Sequence, residues 1–272
     1  MIKIGCNWSA ELLDLIREGQ ADVDYIKSWA SEEFENQIET LRVLRPILLH
    51  GLGYSEYLGM ASFDVIDFQR ANRLIAQCGS PHYGAHLSMY FNDIPSNADD
   101  TDIYNYYSER IQIFKKNIYV PLMLENSPYF PLEVQEKIIK NNALYFIAYT
   151  EPEKVSRLLC DNDVYLLLDL THAQITCLYK KWDIYDFLQS MPLLRVKEIH
   201  VNGLGYKDGF PYDPHRAMND KDYELLDWVL GYCKPDIVTL EYNGLKSEPR
   251  EEVAENLYRQ LKKLYSICRK QP

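Results

Sequence analysis

The sequence predicts an α/β fold in which eight parallel strands close into a (β/α)8 TIM barrel. The chain has 272 residues, and such barrels typically need roughly 250. Short runs rich in Val, Ile and Leu alternate with longer amphipathic stretches, which is the pattern of parallel strands joined by crossover helices. Several of these runs close on a single His, Asp or Glu, as in RPILLH, YGAH, PLMLE, YLLLD, VKEIH and IVTLE.

Taken in order along the chain, the runs define the elements of the barrel. The strands are expected near residues 2–6, 23–28, 45–50, 82–86, 119–125, 164–169, 195–201 and 236–241. The clearest helical periodicity lies at 10–18, 31–43, 64–78, 102–116, 151–160, 219–232 and 249–267. Because eight strands can close a barrel, we expect one domain that spans residues 1–272.

Two connections differ from a minimal crossover. The stretch 126–163 is long and contains Pro128, Pro131 and Pro152, so we expect an extra loop or short helix above the barrel. The segment NGLGYKDGFPYDPHRAM after the seventh strand contains three Gly and two Pro in 17 residues and cannot be regular helix. It is the best candidate for a functional loop.

Nine side chains of metal-ligand type follow the same strand order. They are His50, His86, Glu125, Asp169, His172, His200, Asp213, His215 and Glu241. Strand ends converge on one face of a closed parallel barrel, so distant residues would form one cluster. Imidazole and carboxylate without thiolate suit iron, zinc or manganese, and buried carboxylates need a cation or partner. We therefore expect two or three divalent ions.

The spacing of four ligands is informative. Asp169 and His172 form Asp-x-x-His where the sixth strand ends, so the chain can turn and aim both side chains at adjacent metals. Asp213 and His215 form Asp-x-His in the loop, and extended backbone would place both on one side. A solvated loop with a turn-forming Asp is the alternative for this second pair.

Other polar residues lie close to the proposed ligands. Asn126 and Asn202 are candidate substrate or supporting groups, although ordinary loop hydrogen bonds would explain them as well. Tyr54 is a further candidate because it follows the ligand His50. His82 stands at the start of its strand, at the opposite end of the barrel, and is expected to be structural.

Composition excludes several classes of protein. The net charge is −11 and stays negative when the four proposed ligand carboxylates are set aside, which disfavours nucleic acid as a partner. No run approaches the roughly 18 apolar residues of a membrane span, and the N-terminus lacks a secretory signal pattern. The six cysteines contain no Cys-x-x-Cys pair, so a reducing cytoplasm is the expected location.

The order of the nine ligands resembles the endonuclease IV branch of the xylose-isomerase-like barrels, whose members hold three zinc ions. The local sequence is more similar to the multinuclear non-heme iron-dependent oxidases, which include the methanobactin-biosynthesis enzyme. The motifs shared with that family are HGLGYSEYLG at 50–59, AHLSMY at 85–90, LENSPYF at 124–130, LLLDLTHA at 166–173, EIHVNG at 198–203, DPH at 213–215 and LEYNG at 240–244. Many members of that family have Asn in place of His172 and His in place of Leu204.

The resemblance implies an oxidase in which one ferrous ion activates dioxygen while a neighbouring iron binds a substrate thiolate, often a peptide cysteine. Glu125, Asp169, His200 and Glu241 are then expected to be catalytic. A sugar isomerase or epimerase would need only these four for one divalent ion. An endonuclease IV-like phosphodiesterase and a non-catalytic metal scaffold are the remaining alternatives. A small molecule or peptide is the expected substrate, with a peptide-presenting protein as a partner to consider.

Overall fold

A computed structural model describes residues 1–28, 31–51, 66–90, 97–138 and 146–269. The strands in these residues are β1 Lys3–Asn7, β2 Tyr25–Ser28, β3 Ile47–His50, β4 Tyr83–Tyr90, β5 Leu122–Asn126, β6 Phe146–Ala148, β7 Tyr165–Asp169, β8 Val196–Val201, β9 Gly203–Lys207, β10 Phe210–Arg216 and β11 Ile237–Leu240. Eight of them pair in parallel in the order β3-β2-β1-β11-β8-β7-β5-β4, and β3 also pairs with β4. The barrel is therefore closed, and all eight predicted strands are confirmed.

Helices cover the outside of the barrel. They are α1 Ala10–Arg17, α2 Glu32–Glu35, α3 Ile38–Leu44, α4 Phe68–Cys78, α5 Asp100–Asn117, α6 Leu132–Ile138, α7 Pro152–Asn162, α8 Leu170–Lys180, α9 Ile184–Ser190, α10 Asp220–Leu230 and α11 Arg250–Cys268. The helix predicted at 31–43 is divided into α2 and α3, and the one predicted at 64–78 is described from Phe68. No described helix is long and apolar enough to cross a membrane.

The crossover between β7 and β8 contains two helices that the sequence pattern did not indicate. In α8, residues on several sides are buried, including Leu170, His172, Ile175 and Thr176. Such a helix lacks the single apolar stripe on which helical periodicity depends. The strands are easier to recognise because both faces of a parallel barrel strand are covered, which gives short, almost continuously apolar runs.

The two unusual connections both cover the carboxyl ends of the barrel strands. The 126–163 connection contains the short helix α6, as expected, and the strand β6, which pairs antiparallel with the extended end of β4. The Gly/Pro-rich connection is a hairpin of β9 and β10. Its turn residues Asp208 and Gly209 have φ angles of 53° and 83°, as expected for a two-residue hairpin turn with positive φ at both positions.

Candidate metal centre

The structure places all nine predicted ligands at the carboxyl-terminal face of the barrel. The register of neighbouring strands places ligands at the same height along the barrel. His86 pairs with Glu125 across β4 and β5, and Asp169 pairs with His200 across β7 and β8. Glu241 directly follows β11, while Asp213 and His215 reach the site from β10. Residues distant in sequence thus share one site because parallel strands end on one face.

The nine side chains form four overlapping groups. Within each group, one potential ligand atom per residue lies within 4.8 Å of the others. The groups are His50, His86 and Glu125; Glu125, Asp169, His200 and Glu241; Asp169, His172 and Asp213; and Asp213, His215 and Glu241. We call the second the central group. Every carboxylate belongs to two groups and every histidine to one, so each carboxylate is placed to bridge neighbouring cations.

Two buried carboxylate oxygens support the fit to cations. Asp169 Oδ2 has no hydrogen-bond partner. Glu125 Oε2 lies 3.1 Å from His50 Nε2, but the pair lacks hydrogen-bond geometry and this oxygen is also without a bonded partner. Leaving buried carboxyl oxygens without a hydrogen bond is costly. Divalent cations held by these nitrogen and oxygen donors would remove that cost, and the residues present fit them.

The electrostatics of the site reflect several carboxylates that are buried close together. Burial raises the pKa of Asp169 to about 8, with His172 opposing this and the carboxylate of Glu241 adding to it. Burial would lower the pKa of His200, but the carboxylates of Glu241 and Glu125 outweigh burial and Lys27 and raise the pKa to about 10. Protons on these groups must leave when a metal binds, because only the deprotonated forms are ligands.

Asp169 and His172 are positioned by local structure. The Asp169 side chain caps the N-terminus of α8 by accepting a hydrogen bond from His172 N at 2.6 Å. This leaves Asp169 Oδ2 free for the site. His172 Nδ1 lies 2.9 Å from the carbonyl oxygen of Asn126, and His172 Nε2 lies 3.3 Å from Asp213 Oδ2. The Asp-x-x-His spacing therefore combines a helix cap with two inward-facing side chains.

Asp213 and His215 meet through a turn rather than through regular strand alternation. The register of β10 against β9 shifts between Tyr212 and Arg216, and His215 has a φ of 54°. Asp213 Oδ1 accepts a hydrogen bond from His215 N at 3.0 Å, while Asp213 Oδ2 lies 3.4 Å from His215 Nε2. The predicted pairing is present, but its expected extended backbone is not. The His215 side chain is 39% exposed, so it lies at the solvent side of the site.

The three residues predicted to support the site have different outcomes. Asn126 donates to the carbonyl oxygen of Asp169 at 2.9 Å and accepts from Asp169 N at 2.8 Å, so its amide holds the backbone of a ligand. Asn202 is 1% exposed, and neither polar atom of its side chain has a hydrogen-bond partner. Tyr54 lies outside the described residues.

Gly84 makes room for a ligand. A Cβ atom at this position would lie 2.4 Å from His50 Nδ1, closer than real Cβ atoms approach other atoms. We therefore expect Gly84→Ala to displace the His50 imidazole and to weaken zinc binding by at least ~10-fold, as for loss of a residue that orients a ligand. Zinc titration in competition with a chelator measures this, and Ala85→Gly on the same strand is the control. Unchanged zinc affinity in Gly84→Ala would contradict the role of His50.

Sequence reasoning missed two charged residues inside the barrel. Lys27 is buried. Its Nζ contacts Glu241 Oε1 and lies 3.4 Å from His200 Nδ1. Glu198, 1% exposed, lies two residues before His200 and therefore on the same face of β8. A charged residue at an inward position of an otherwise apolar strand was the signal that could have identified both.

His82 contacts one of these two residues, and its Nε2 lies 2.6 Å from Glu198 Oε2. His82 also lines a cavity at the amino-terminal mouth of the barrel, together with residues such as Met123 and Ile237. Its expected place at the end opposite the ligands is confirmed.

The fold is that of the xylose-isomerase-like TIM barrels, and the site brings together side chains that suit divalent metal ions. The family model described as RiPP precursor modification enzyme MbnB/TglH/ChrH matches residues 3–262. The chain therefore belongs to that family. A UPF0276 protein of Acaryochloris marina is 29% identical over 65% of this chain, and the match covers 62% of the relative's own length. A UPF0276 protein of Acinetobacter baylyi is 23% identical over 89% of this chain and 85% of its own.

Solved structures show the same fold at low sequence identity. An L-ribulose 3-epimerase has a TM-score of 0.62 at 13% identity, over 99% of this chain and 97% of that one. An AP endonuclease of family 2 from Brucella melitensis has a TM-score of 0.62 at 16% identity, over 96% and 100%. The IolI protein with a bound zinc atom has a TM-score of 0.61 at 12% identity, over 100% and 99%.

Proposed function

We propose that this protein is a multinuclear non-heme iron oxidase that acts on a cysteine of a ribosomally made peptide or on another small thiol. The observation that carries the proposal is the family match over residues 3–262 to RiPP precursor modification enzymes. The four overlapping ligand groups support it, because shared carboxylates suit adjacent ions better than a single one. Iron would supply activation of dioxygen and a position for the substrate thiolate.

The residues of the site would have different roles according to how deeply they lie in the barrel. Glu125, Asp169, His200 and Glu241 lie deepest, are all less than 5% exposed, and would be the catalytic set. Asp213 and His215 lie on the β9–β10 hairpin at the solvent side, where a peptide would enter. The unpartnered amide of Asn202 offers a buried donor and acceptor for substrate. A peptide-presenting partner protein and a cytoplasmic location belong to the same proposal.

A sugar isomerase or epimerase is the second candidate. The central group favours it, since its four side chains alone could hold one divalent ion and polarise adjacent substrate oxygens. This function would leave His50, His86 and the pair of Asp213 and His215 with less to do. A phosphodiesterase is less well supported because the chain has a net charge of −11, and DNA affinity depends on neutralising phosphates with Lys and Arg.

Metal exchange tests the oxidase proposal. We expect the protein purified without oxygen and reconstituted with ferrous iron to bind at least two equivalents per chain. We expect it to consume dioxygen when it is given a cysteine-containing peptide. Zinc has no redox chemistry, so the zinc-loaded protein should show no turnover. Oxygen uptake and the mass of the peptide measure this, with the Cys→Ser peptide as control.

Two results would contradict the oxidase proposal. Conversion of substrate by the zinc-loaded protein in the absence of oxygen, at the rate of the iron-loaded protein, would replace the oxidase with a hydrolytic or isomerising enzyme. A metal content of one equivalent or less after reconstitution would contradict the multinuclear site.

A further inference from the structure

Glu198 is a buried carboxylate that belongs to none of the four ligand groups. It lies inside the barrel on β8 and is 1% exposed. Its Oε1 accepts a hydrogen bond from Thr239 Oγ1 at 2.5 Å and lies 3.2 Å from His200 Nε2. Its Oε2 lies 2.6 Å from His82 Nε2. Removing a carboxylate from water is costly. A carboxylate at this depth with three polar partners therefore indicates a specific role for Glu198.

These contacts decide which nitrogen of His200 carries a proton. An ionised carboxylate only accepts hydrogen bonds, so the His200 nitrogen that faces Glu198 must be Nε2–H. In neutral His200 the lone pair then lies on Nδ1.

His200 Nδ1 faces the proposed metal ligands. It lies 3.5 Å from Glu125 Oε1 and 3.4 Å from Glu241 Oε1. The opposite ring nitrogen points down the barrel towards Glu198. Glu198 itself is held from two sides, by Thr239 on the neighbouring strand β11 and by His82 at the start of β4.

We propose that Glu198 is a positioning residue that fixes His200 as an Nδ1 metal ligand, and that His82 and Thr239 hold Glu198 in place. The inference rests on the metal ligation by His200 proposed above. A carboxylate that accepts the second ring N–H of a ligating histidine fixes its tautomer and orientation and makes it a stronger ligand. The site thereby depends on residues that extend through the barrel core to its other mouth.

Zinc affinity of four variants tests the role of Glu198. Glu198→Leu removes the acceptor and should weaken zinc binding, measured by chelator competition, about 10- to 100-fold. Glu198→Gln keeps an acceptor oxygen for His200 and should restore a large part of this loss. His200→Ala measures the whole contribution of the ligand. Asp222→Asn changes another buried carboxylate, on α10, and should leave zinc affinity unchanged. Thermal unfolding of each metal-free variant reports whether the fold is intact.

Nitrogen-15 NMR of the histidine-labelled wild-type protein gives a readout that a merely structural role would not move. Addition of zinc should shift His200 Nδ1 while Nε2 keeps its proton. Zinc bound through Nε2 of His200, or wild-type zinc affinity in a folded Glu198→Leu variant, would overturn the proposal while leaving the metal centre in place. Wild-type zinc affinity in His200→Ala would instead overturn the metal ligation, and with it the role of Glu198.

Discussion

Glu125→Gln is expected to lose at least one equivalent of metal per chain and all measurable turnover while the barrel remains folded. Glu125 belongs to two of the four ligand groups, and its oxygens lie within 3.5 Å of nitrogen atoms of four histidines, namely His50, His86, His172 and His200. A neutral amide can neither bridge two cations nor supply charge. Two unit charges about 4 Å apart interact by about 4 kcal/mol at an effective dielectric constant of about 20, so affinity should fall ~1000-fold.

Elemental analysis and circular dichroism after reconstitution with zinc or ferrous iron check this expectation. Glu251→Gln, an exposed carboxylate on α11, is the control and should keep the metal content of the wild type. Gln has nearly the size and shape of Glu and leaves the apolar packing between strands and helices unchanged, so the fold should persist. Full metal content in Glu125→Gln would show that the ligands are wrongly assigned.

Lys27→Met is expected to have two opposite effects, on metal affinity and on the stability of the metal-free protein. Lys27 contacts Glu241, and its Nζ lies 3.4 Å from His200 Nδ1, so its positive charge lies beside two members of the central group. Removing a positive charge next to a cation site should raise zinc affinity ~100-fold or more. Without metal, the same change leaves Glu241 buried without its ion-pair partner Lys27 and should destabilise the fold by about 3 kcal/mol.

The two effects are separated by measuring zinc affinity and chemical unfolding with and without a chelator. Lys27→Arg keeps the charge and should not raise zinc affinity, which distinguishes electrostatics from a change of shape. If Lys27→Met binds zinc no more tightly than Lys27→Arg, the charge of the Lys27 ammonium group does not lower zinc affinity, and the prediction is wrong.

The contact between Lys27 and Glu241 offsets part of the repulsion between the carboxylates of the site. Four neighbouring carboxylates repel one another when no cation is present, so repulsion alone predicts that replacing one by an amide stabilises the metal-free protein. That reasoning holds for Asp169, whose pKa burial raises to about 8. It does not hold for Glu241, because His200 and Lys27 lower the pKa of its carboxyl against the effect of burial.

The sequence alone determined the barrel and the face on which the ligands lie. Apolar runs of the right length define eight strands, and a His, Asp or Glu at or beside a strand end must lie on one face once the strands are parallel. These are local patterns, which one sequence displays. The pattern was insufficient for α8, because its burial on several sides hides the helical period.

Only the tertiary structure decided how the ligands are shared and what holds them. The sharing of Asp169 and Glu241 between ligand groups, the hydrogen bonds of the Asn126 amide to the Asp169 backbone, and the contacts of His200 Nδ1 with Glu125 and Glu241 all depend on residues from different strands. Lys27 and Glu241 are separated by 214 residues. Such pairs carry no local signal, since it is closure of the barrel that brings them together, and only their distances show which atom faces which.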